Sequence, residues 1–503
     1  MKLLAMYLPQ FHRVKENDEW WGEGFTDWIP TKNAKPLCDG HYQPHIPLNS
    51  NYYDLLNKDT LEWQADLMHK YGIDGMCMYH YWFKDGRKIL EKPAEKLLEW
   101  TDINMPFCFY WANESWKRSW SSVQNANAWQ GDEKRPENSN DTGLLLDQQY
   151  GDEESWTQHF NYFLPFFKDD RYIKVDGKPL LLIYRTSLVS CLNKMVECWR
   201  KLAKENGFRD LHIIGAYAND ATSRALDGVL YHEPPQTIVT LREAGFGNGA
   251  YSISYNTVVD HVLQQPLTNK RTYFSCFTGF DDTPRRGERG NALKDVTVER
   301  YEEFLARTIA KNHVAESNIT FINAWNEWGE GMHLEPDEKF GYAFLEATYR
   351  AKNSYEKYID EYESGLKKEE ISSYLFYKKK ADKFEQYMRL LDRWMELREK
   401  NVCIEDYLLS RNIKNIGIYG YGNFGRHLYW ELKNSEVSVD FIIDQQGDKV
   451  GANLPVYLPN DKIPKCDAVI VTTFWIYNDI VGVLPKNVTT ISLDEIINSF
   501  QEK

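Results

Sequence analysis

Eight short apolar runs, each ending in polar or aromatic residues, are spaced along the first two thirds of the chain. Helix-like segments with apolar residues at helical spacing lie between several of these runs, and the fifth and sixth helices are the hardest to recognise. Near-continuous apolar strands alternating with helices are typical of a closed parallel (β/α)8 barrel of the TIM type. A doubly wound open sheet is the alternative, and the count of eight favours the barrel. The runs begin at Leu3, Ile73, Pro106, Pro179, Leu211, Gly228, Thr272 and Ile319.

The length and the changes in composition predict three parts. A chain of 503 residues is too long for one ordinary core. We assign residues 1–350 to the barrel and the charged stretch 351–412, which is nearly free of Gly and Pro, to a helical connector. Residues 413–503 begin a strand–turn–helix pattern that is typical of a small Rossmann-like βαβ domain.

The turn of this last domain carries glycines at Gly420, Gly422 and Gly425, and its second strand ends at Asp444. Such glycines permit a phosphate to approach a helix N-terminus, and the acid can bind a ribose hydroxyl. The pattern therefore predicts a nucleotide or nucleotide-sugar site. The alternative is that the turn serves packing alone, because about ninety residues form only half of a dinucleotide-binding fold.

Charge and cysteine usage exclude several classes of function. The net charge of -14 argues against a nucleic-acid partner, because such a surface repels phosphate backbones. The eight cysteines form no Cys-x-x-Cys pair, which predicts a reducing compartment without a zinc site. The N-terminus lacks the features of a signal peptide, and no apolar run has the length of a transmembrane segment. We therefore expect a cytoplasmic protein.

Candidate substrate-binding residues stand at the ends of the apolar runs, because the working residues of such barrels lie at the carboxyl ends of the strands. Aromatic residues make up 15% of the chain, and aromatic rings stack on sugars while polar neighbours bind hydroxyls. A carbohydrate site fits this composition. The predicted substrate-binding residues are His12, His80, Trp82, Trp111, Asn113, Glu114, Tyr184, Glu233, Arg285, Asn326 and Trp328.

Two glutamates after the last run, Glu327 and Glu330, are the candidate catalytic pair. Glycosidic chemistry uses two carboxyl groups whose surroundings give them different pKa values. The alternative is that both glutamates cap a helix or pair with Arg285 or Arg286. We predict no metal site, since the histidines lack ligand spacing and suit hydrogen bonds to sugar hydroxyls better. The barrel is expected to need no cofactor.

Several blocks between about Leu3 and Arg350 resemble the WbsX-type glycosyltransferases, a family similar to the endo-α-mannosidases of glycoside hydrolase family 99. They include YLPQFH, NDEWWGEGFTDW, PFCFYWANESW and NAWNEWGEGMHLEP. The resemblance implies that Glu327 acts as base on the 2-hydroxyl of the sugar and that Glu330 acts first as acid and then as base at the glycosidic oxygen. It implies an epoxide-like intermediate and retained configuration. Gly329 stands where the endo-α-mannosidases usually have His.

Three hypotheses follow. The first is glycosyl transfer to or from an α-linked, mannose-configured glycan in surface polysaccharide biosynthesis, such as that of O-antigen and lipopolysaccharide. The second is a retaining hydrolase that resembles the endo-α-mannosidases. The third is a non-catalytic glycan-binding module, which salt bridges locking the glutamates would favour. A polar stretch from Ser119 to Gly143 departs from the family pattern and is either a lid over the cleft or an ornament.

Overall fold

The computed structural model describes residues 1–118, 143–219, 222–243, 253–267, 272–364, 387–447, 452–474, 477–485 and 488–500. Nearly all of the predicted lid or ornament falls on residues 119–142, outside the described residues. The chain divides into two compact units, Met1–Glu370 and Ile371–Lys503. The predicted division into three parts stays a prediction.

The first unit contains a closed barrel of eight parallel strands, one for each predicted run. Its β1 pairs with both β2 and β8, so the sheet has no free edge and the predicted (β/α)8 architecture is confirmed. The strands are β1 Lys2–Tyr7, β2 Gly75–Trp82, β3 Phe107–Trp111, β4 Lys178–Ile183, β5 His212–Ala216, β6 Gly228–Tyr231, β7 Thr272–Phe277 and β8 Ile319–Asn323.

Helices surround this barrel and cover its apolar strands. The helix Val298–Val314 is representative: the Thr297 side chain caps it by accepting from the backbone N–H of Arg300, and it buries Tyr301 and Phe304. Other α-helices among the described residues of the unit are Lys15–Trp21, Trp28–Asn33, Lys58–Lys70, Lys92–Glu99, Glu153–Lys168, Leu192–Glu205, Pro235–Glu243, Tyr255–Gln264, Thr283–Arg286 and Ala343–Lys352. Among its described residues, the β5–β6 connection has only the 3-10 turn Ser223–Ala225.

Short strands decorate the loops of the barrel. The one that matters for the site is the hairpin of Asn326–Glu327 with Met332–His333, which encloses the 3-10 turn Trp328–Glu330. The remaining short strands are Lys88–Ile89, Trp116–Lys117, Leu144–Leu146, Lys174–Val175, Ile253–Ser254 and Leu293–Lys294.

The second unit is a five-stranded parallel sheet with helices, as predicted for a small Rossmann-like domain. Its strands are β9 Asn415–Tyr419, β10 Ser438–Ile443, β11 Val456–Tyr457, β12 Ala468–Val471 and β13 Thr490–Ser492, in the order β11-β10-β9-β12-β13. Its helices are Ile404–Ser410, Asn423–Leu432, Tyr477–Val483 and Leu493–Ser499, and helical residues 387–399 add Leu390, Trp394 and Leu397 to its core.

Among the described residues of both units, no helix combines the length and the apolar character that crossing a bilayer requires.

Candidate functional site

The turn after β8 carries the two candidate catalytic glutamates to the carboxyl end of the barrel. Glu327 lies in the first strand of the hairpin and Glu330 ends the 3-10 turn. Asn326 fixes the hairpin to the end of β1, since its Oδ1 accepts from Leu8 N at 2.7 Å and its Nδ2 donates to Leu8 O at 3.0 Å. The loop that follows the last strand is therefore held against the first strand of the ring.

One guanidinium, that of Arg285, contacts both glutamates and a third carboxylate. Its Nη2 lies 3.0 Å from Glu327 Oε2, and its Nη1 lies 2.5 Å from Glu330 Oε1. Its Nε and Nη2 donate to the two oxygens of Asp27, at 3.1 and 2.8 Å. Asp27 and Arg285 are buried, whereas the Glu330 side chain keeps 26% of its surface exposed. Glu330 is therefore the carboxylate of this cluster that is most open to solvent.

Burial and the neighbouring charges of this cluster change the acidity of Glu327. The pKa of Glu327 is raised to about 8, first because burial disfavours its charged form and then because Glu330 adds a negative charge nearby. Arg285 opposes this shift, and Asp27 adds to it. One guanidinium faces three carboxylates, so a proton is retained in the cluster near neutral pH.

A buried carboxylate beneath the turn, Glu335, holds the indoles of the loop. It accepts hydrogen bonds from Trp325 Nε1 at 2.9 Å, Trp328 Nε1 at 2.7 Å, Gln64 Nε2 at 2.7 Å and Tyr53 Oη at 2.7 Å. Burial raises its pKa to about 7. Trp328 is itself buried and stacks on His333 at 3.7 Å, so it supports the turn and is not open for stacking on a sugar.

Tyrosines form a wall along the ends of β2 to β5. Tyr79 stacks on Tyr110 at 5.3 Å, and Tyr184 packs edge-on against both Tyr110 and Tyr217 at 5.8 and 5.2 Å. His232 completes it, 5.0 Å from Tyr184. Burial raises the pKa of Tyr79 and the nearby charges of Glu327 and Glu330 add to that rise, so this wall begins beside the glutamates. Tyr79, Tyr184 and Tyr217 are half-buried, which leaves ring surface available to a ligand.

Three predicted residues, Asn113, Glu114 and Tyr184, meet at the far end of this wall. Arg185 Nε lies 3.0 Å from Glu114 Oε1, and the Arg185 guanidinium stacks over Tyr217 at 4.0 Å. Asn113 Oδ1 accepts from Arg185 N at 2.7 Å and so joins the ends of β3 and β4. This group offers the charged atoms of Glu114 and Arg185 at the edge of an aromatic surface, while the buried Asn113 amide serves to hold the two strand ends.

Another three predicted residues, His80, Trp82 and Trp111, lie outside the barrel and away from the glutamates, which corrects their expected position. His80 Nε2 lies 2.9 Å from His159 Nε2, and the ring of Trp82 stacks on His159 at 4.4 Å. The Trp111 ring packs edge-on against the same imidazole at 4.9 Å. Side chains alternate along a strand, so His80 and Trp82 face the helix Glu153–Lys168.

His12 and Glu233 are also enclosed and do not join the glutamates. His12 is fully buried, and burial lowers its pKa to about 4. Glu233 accepts from Gln265 Nε2 at 2.9 Å and from Thr237 N at 3.2 Å, which directs its carboxylate toward the outer helices. The predicted groups that the structure brings together at the turn are Arg285, Asn326, Glu327, Trp328 and Glu330.

The glycine turn of the second unit has both packing and open positions. Gly420 adopts φ +87°, and a Cβ on Gly425 would lie 2.1 Å from Gly420 O, so Gly425 is required for packing. Gly422 stands directly before the helix Asn423–Leu432, and nothing lies within 4 Å of a Cβ placed on it. No side chain at this position caps the N-terminus of the helix. Asp444 Oδ2 accepts from Tyr421 N at 2.9 Å and closes the turn.

Sequence reasoning missed Asp27, Tyr79, Tyr110 and Tyr217. Asp27 lies in a loop between two short helices, and its partner Arg285 is 258 residues away. Its only signal is an acid among aromatic residues in the stretch GEGFTDW. Tyr79 and Tyr110 stand inside strands, where only the alternation of inward and outward side chains could have indicated them.

Two curated relatives match more than half of the chain. The uncharacterized protein WxcX from Xanthomonas campestris pv. campestris, in strains ATCC 33913 and B100, is 33% identical over 363 residues. The matches cover 69% of this chain and 49% of each relative. The chain thus spans about half the length of the curated relatives it matches.

Solved structures also align with the chain at low sequence identity. The GH99 endo-alpha-mannosidase from Bacteroides thetaiotaomicron is 13% identical, with a TM-score of 0.44, and the alignment covers 71% of this chain and 97% of that one. A glycoside hydrolase-like protein is 13% identical, with a TM-score of 0.42, covering 70% and 93%.

The family comparison concerns the same stretch that forms the barrel. The model of the family described as glycosyltransferase WbsX matches residues 3–348, which include the glutamate turn and all eight barrel strands apart from Lys2, the first residue of β1. The predicted resemblance is confirmed, and this chain belongs to the WbsX glycosyltransferase family.

Proposed function

We propose that the barrel acts on an α-linked, mannose-configured glycan with retention of configuration, and that it transfers a glycosyl group in surface polysaccharide biosynthesis, such as that of O-antigen or lipopolysaccharide. The observation that carries this proposal is the Arg285 cluster, which holds two glutamates of unequal burial at the carboxyl end of the barrel. Family membership supports a carbohydrate-active enzyme. The tyrosine wall supports a sugar as the ligand.

Glu327 is the proposed base. It takes the proton of the sugar 2-hydroxyl, and the freed oxygen attacks the anomeric carbon while Glu330 protonates the departing oxygen. In the second half, Glu330 accepts a proton from the acceptor hydroxyl, whose oxygen opens the epoxide-like intermediate, and Glu327 returns its proton to the sugar. Two inversions at the anomeric carbon give net retention.

The charge coupling of the pair suits these roles. Burial raises the pKa of Glu327 and the charge of Glu330 adds to that rise, so the two carboxyl groups are electrostatically coupled. Glu327 holds a proton near neutral pH, so the first half of the proposed reaction starts from the fraction of molecules in which Glu327 is ionised, and a pKa of about 8 keeps that fraction accessible. A base whose pKa is near the working pH is also the most effective.

Substitution of each glutamate tests the proposal. The protein is incubated with a panel of nucleotide sugars and α-mannosides, and transfer and release are both measured. We expect Glu327→Gln and Glu330→Gln each to lose at least about 100-fold in turnover, as for loss of a general acid or base. Glu346→Gln, an exposed glutamate on the helix Ala343–Lys352, is the control and keeps full turnover. Full turnover in either test variant contradicts the assignment.

A retaining hydrolase that resembles the endo-α-mannosidases is the second candidate. The same two carboxylates serve hydrolysis when water replaces the acceptor hydroxyl. Glu330 favours this candidate, because its partial exposure gives water access to the acid. Release of reducing sugar from an α-mannoside in the absence of any nucleotide sugar or acceptor distinguishes it from transfer.

A non-catalytic glycan-binding module is the third candidate, and one observation favours it. Arg285 bridges Glu327 and Glu330 at once, which is the locked arrangement that a structural role predicts. Calorimetric binding of a glycan, together with no turnover on any compound of the panel, supports this candidate over the other two.

We propose that the protein works in the cytoplasm, as biosynthesis from nucleotide sugars requires.

For the second unit, we propose that a nucleotide or nucleotide sugar binds at the N-terminus of the helix Asn423–Leu432. The uncapped helix N-terminus and the open space at Gly422 support a phosphate there. Calorimetry of the full chain with nucleotide sugars tests it. Gly422→Asp places a negative charge beside the phosphate and abolishes the heat, while Gly482→Asp, at another open position, keeps it.

A further inference from the structure

A cavity of about 250 Å³ lies behind the glutamate turn in the barrel unit. Its wall includes Asp281 and Gly331, and Asp281 N donates to Glu330 O at 2.6 Å, so the cavity adjoins the turn without containing either glutamate. His45, His333 and Asp337 also line it. The mechanism proposed above uses none of these three side chains.

Three potential ligand atoms converge in this cavity. His45 Nδ1 lies 2.9 Å from His333 Nε2, and His333 Nε2 lies 3.9 Å from Asp337 Oδ2. All three ligand atoms lie within 4.8 Å of one another. Ligand atoms about 2.1 Å from a tetrahedral Zn²⁺ are roughly 3.4 Å apart, so only small movements separate this arrangement from a coordination triangle.

The hydrogen bonds around the cluster leave His333 Nε2 and Asp337 Oδ2 available as metal ligands. His333 Nδ1 donates to Glu335 O at 2.9 Å, which puts the lone pair of the neutral ring on Nε2 and points it at the other two groups. Asp337 Oδ1 accepts from Phe340 N at 2.6 Å, whereas the buried Oδ2 has no hydrogen-bond partner. A buried carboxylate oxygen without a donor is unfavourable unless a cation faces it.

The surrounding charges have opposing effects on a cation. Asp281 is engaged by His41 Nε2 at 2.7 Å and by Gln43 Nε2, yet its negative charge still favours a cation nearby. Lys339 also lines the cavity and opposes a cation, but its Nζ lies over the Tyr42 ring at 4.2 Å. The cavity leaves space for water or another ligand to complete the coordination.

We propose that His45, His333 and Asp337 bind a divalent first-row transition metal, with Zn²⁺ as the first candidate. Two imidazoles and a carboxylate are ligands that suit Zn²⁺ and its neighbours, and they leave a coordination position open to the cavity. The site goes beyond the proposed glycosyl chemistry and does not depend on it. Residue spacing could not indicate this site, because the two histidines are 288 residues apart in the chain.

Such a metal joins two parts of the loop layer. His45 belongs to the segment after the helix Trp28–Asn33, and His333 stacks directly on Trp328 of the glutamate turn. A bound ion stabilises the folded state by mass action, because the unfolded chain does not hold the three ligands together.

The test uses tag-free, chelator-treated full-length protein titrated with ZnCl₂ and CoCl₂, followed by calorimetry, the visible absorption of Co²⁺ and thermal unfolding. Asp337→Asn keeps the acceptor for Phe340 N and replaces the free oxygen, and His45→Gln removes a half-buried ligand. His69→Gln, at an exposed histidine of the helix Lys58–Lys70, is the matched control.

We expect one equivalent of metal to bind to the unaltered protein and to the His69→Gln variant, with a rise in melting temperature. Asp337→Asn and His45→Gln lower the affinity at least tenfold and lose that rise, while their metal-free melting temperatures show that they fold. Absence of stoichiometric binding, or equal binding by all four proteins, overturns the proposal and leaves a hydrogen-bonded histidine pair. None of these readouts requires turnover, so they are independent of the proposed function.

Discussion

Arg285 and Asp27 form a buried two-point pair, with Arg285 Nε and Nη2 donating to the two oxygens of Asp27 at 3.1 and 2.8 Å. This pair orients the guanidinium so that its remaining hydrogen-bonding capacity is directed at Glu327 and Glu330. Asp27 thus positions the catalytic candidates through Arg285 and is not itself proposed to touch the reacting atoms.

Asp27→Asn is expected to weaken both the fold and the site. Loss of one partner of a buried ion pair costs about 3–5 kcal/mol of unfolding free energy, which urea unfolding measures. The charge of Asp27 also contributes to the raised pKa of Glu327, so its removal lowers that pKa and moves the acidic limb of the kcat/KM profile to lower pH. Asp18→Asn, which breaks an exposed pair with Arg13, is the control and costs at most about 1 kcal/mol. An unchanged profile in Asp27→Asn would refute the positioning role.

The stability of the protein should depend on pH through Glu327. Its pKa in the folded state is about 8, above the value of 4.5 for a free side chain, so folding favours the protonated form. That contribution is fully present below about pH 4.5 and is lost as the pH rises through 8. We expect Glu327→Gln, compared by urea unfolding at pH 5 and pH 9, to lose less stability than the unaltered protein over this interval. Identical pH dependences would show that Glu327 is not protonated in the folded state.

Glu335 is expected to be a structural acceptor whose loss disturbs the turn. All four of its hydrogen-bond partners donate to it, so the amide nitrogen of a glutamine would face donors. Glu335→Gln should therefore lower the unfolding free energy by about 1–3 kcal/mol, measured by chemical denaturation. Glu338→Gln, which alters a carboxylate near the surface, serves as the comparison, and equal losses in the two variants would be inconsistent with this role.

Aromatic residues inside and outside the barrel should respond differently to substitution. Tyr184→Leu removes a ring from the wall beside the proposed substrate path, and we expect KM for the glycan to rise roughly fivefold, about 1 kcal/mol. Trp82→Phe alters a ring packed on His159 outside the barrel and should leave KM unchanged. If KM rises for Trp82→Phe and not for Tyr184→Leu, Trp82 contacts the substrate and the assignment of the tyrosine wall is wrong.

The fold was largely predictable because most barrel strands are buried on both faces and therefore form nearly continuous apolar runs in the sequence. Ile319–Asn323 shows this directly, since all five of its residues are buried. The connection between β5 and β6 resisted prediction for a physical reason, because its described residues form only the turn Ser223–Ala225.

The site was predictable only where it follows a strand. Glu327 and Glu330 come shortly after β8 and were identified from their position. Asp27 was not, because its role depends on a partner 258 residues away. His80 was expected at the mouth since it lies near the end of β2, but the alternation of side chains turns it toward His159.

The stereochemistry of turnover reports whether Glu327 and Glu330 carry out a retaining reaction on an α-linked sugar. The anomeric configuration of the first-formed product is followed by ¹H NMR, with the substrate found active in the panel. We expect an α product from the unaltered protein, formed at least about 100-fold more slowly by Glu327→Gln and Glu330→Gln. A β product, or an α product formed at full rate by either variant, would contradict this expectation.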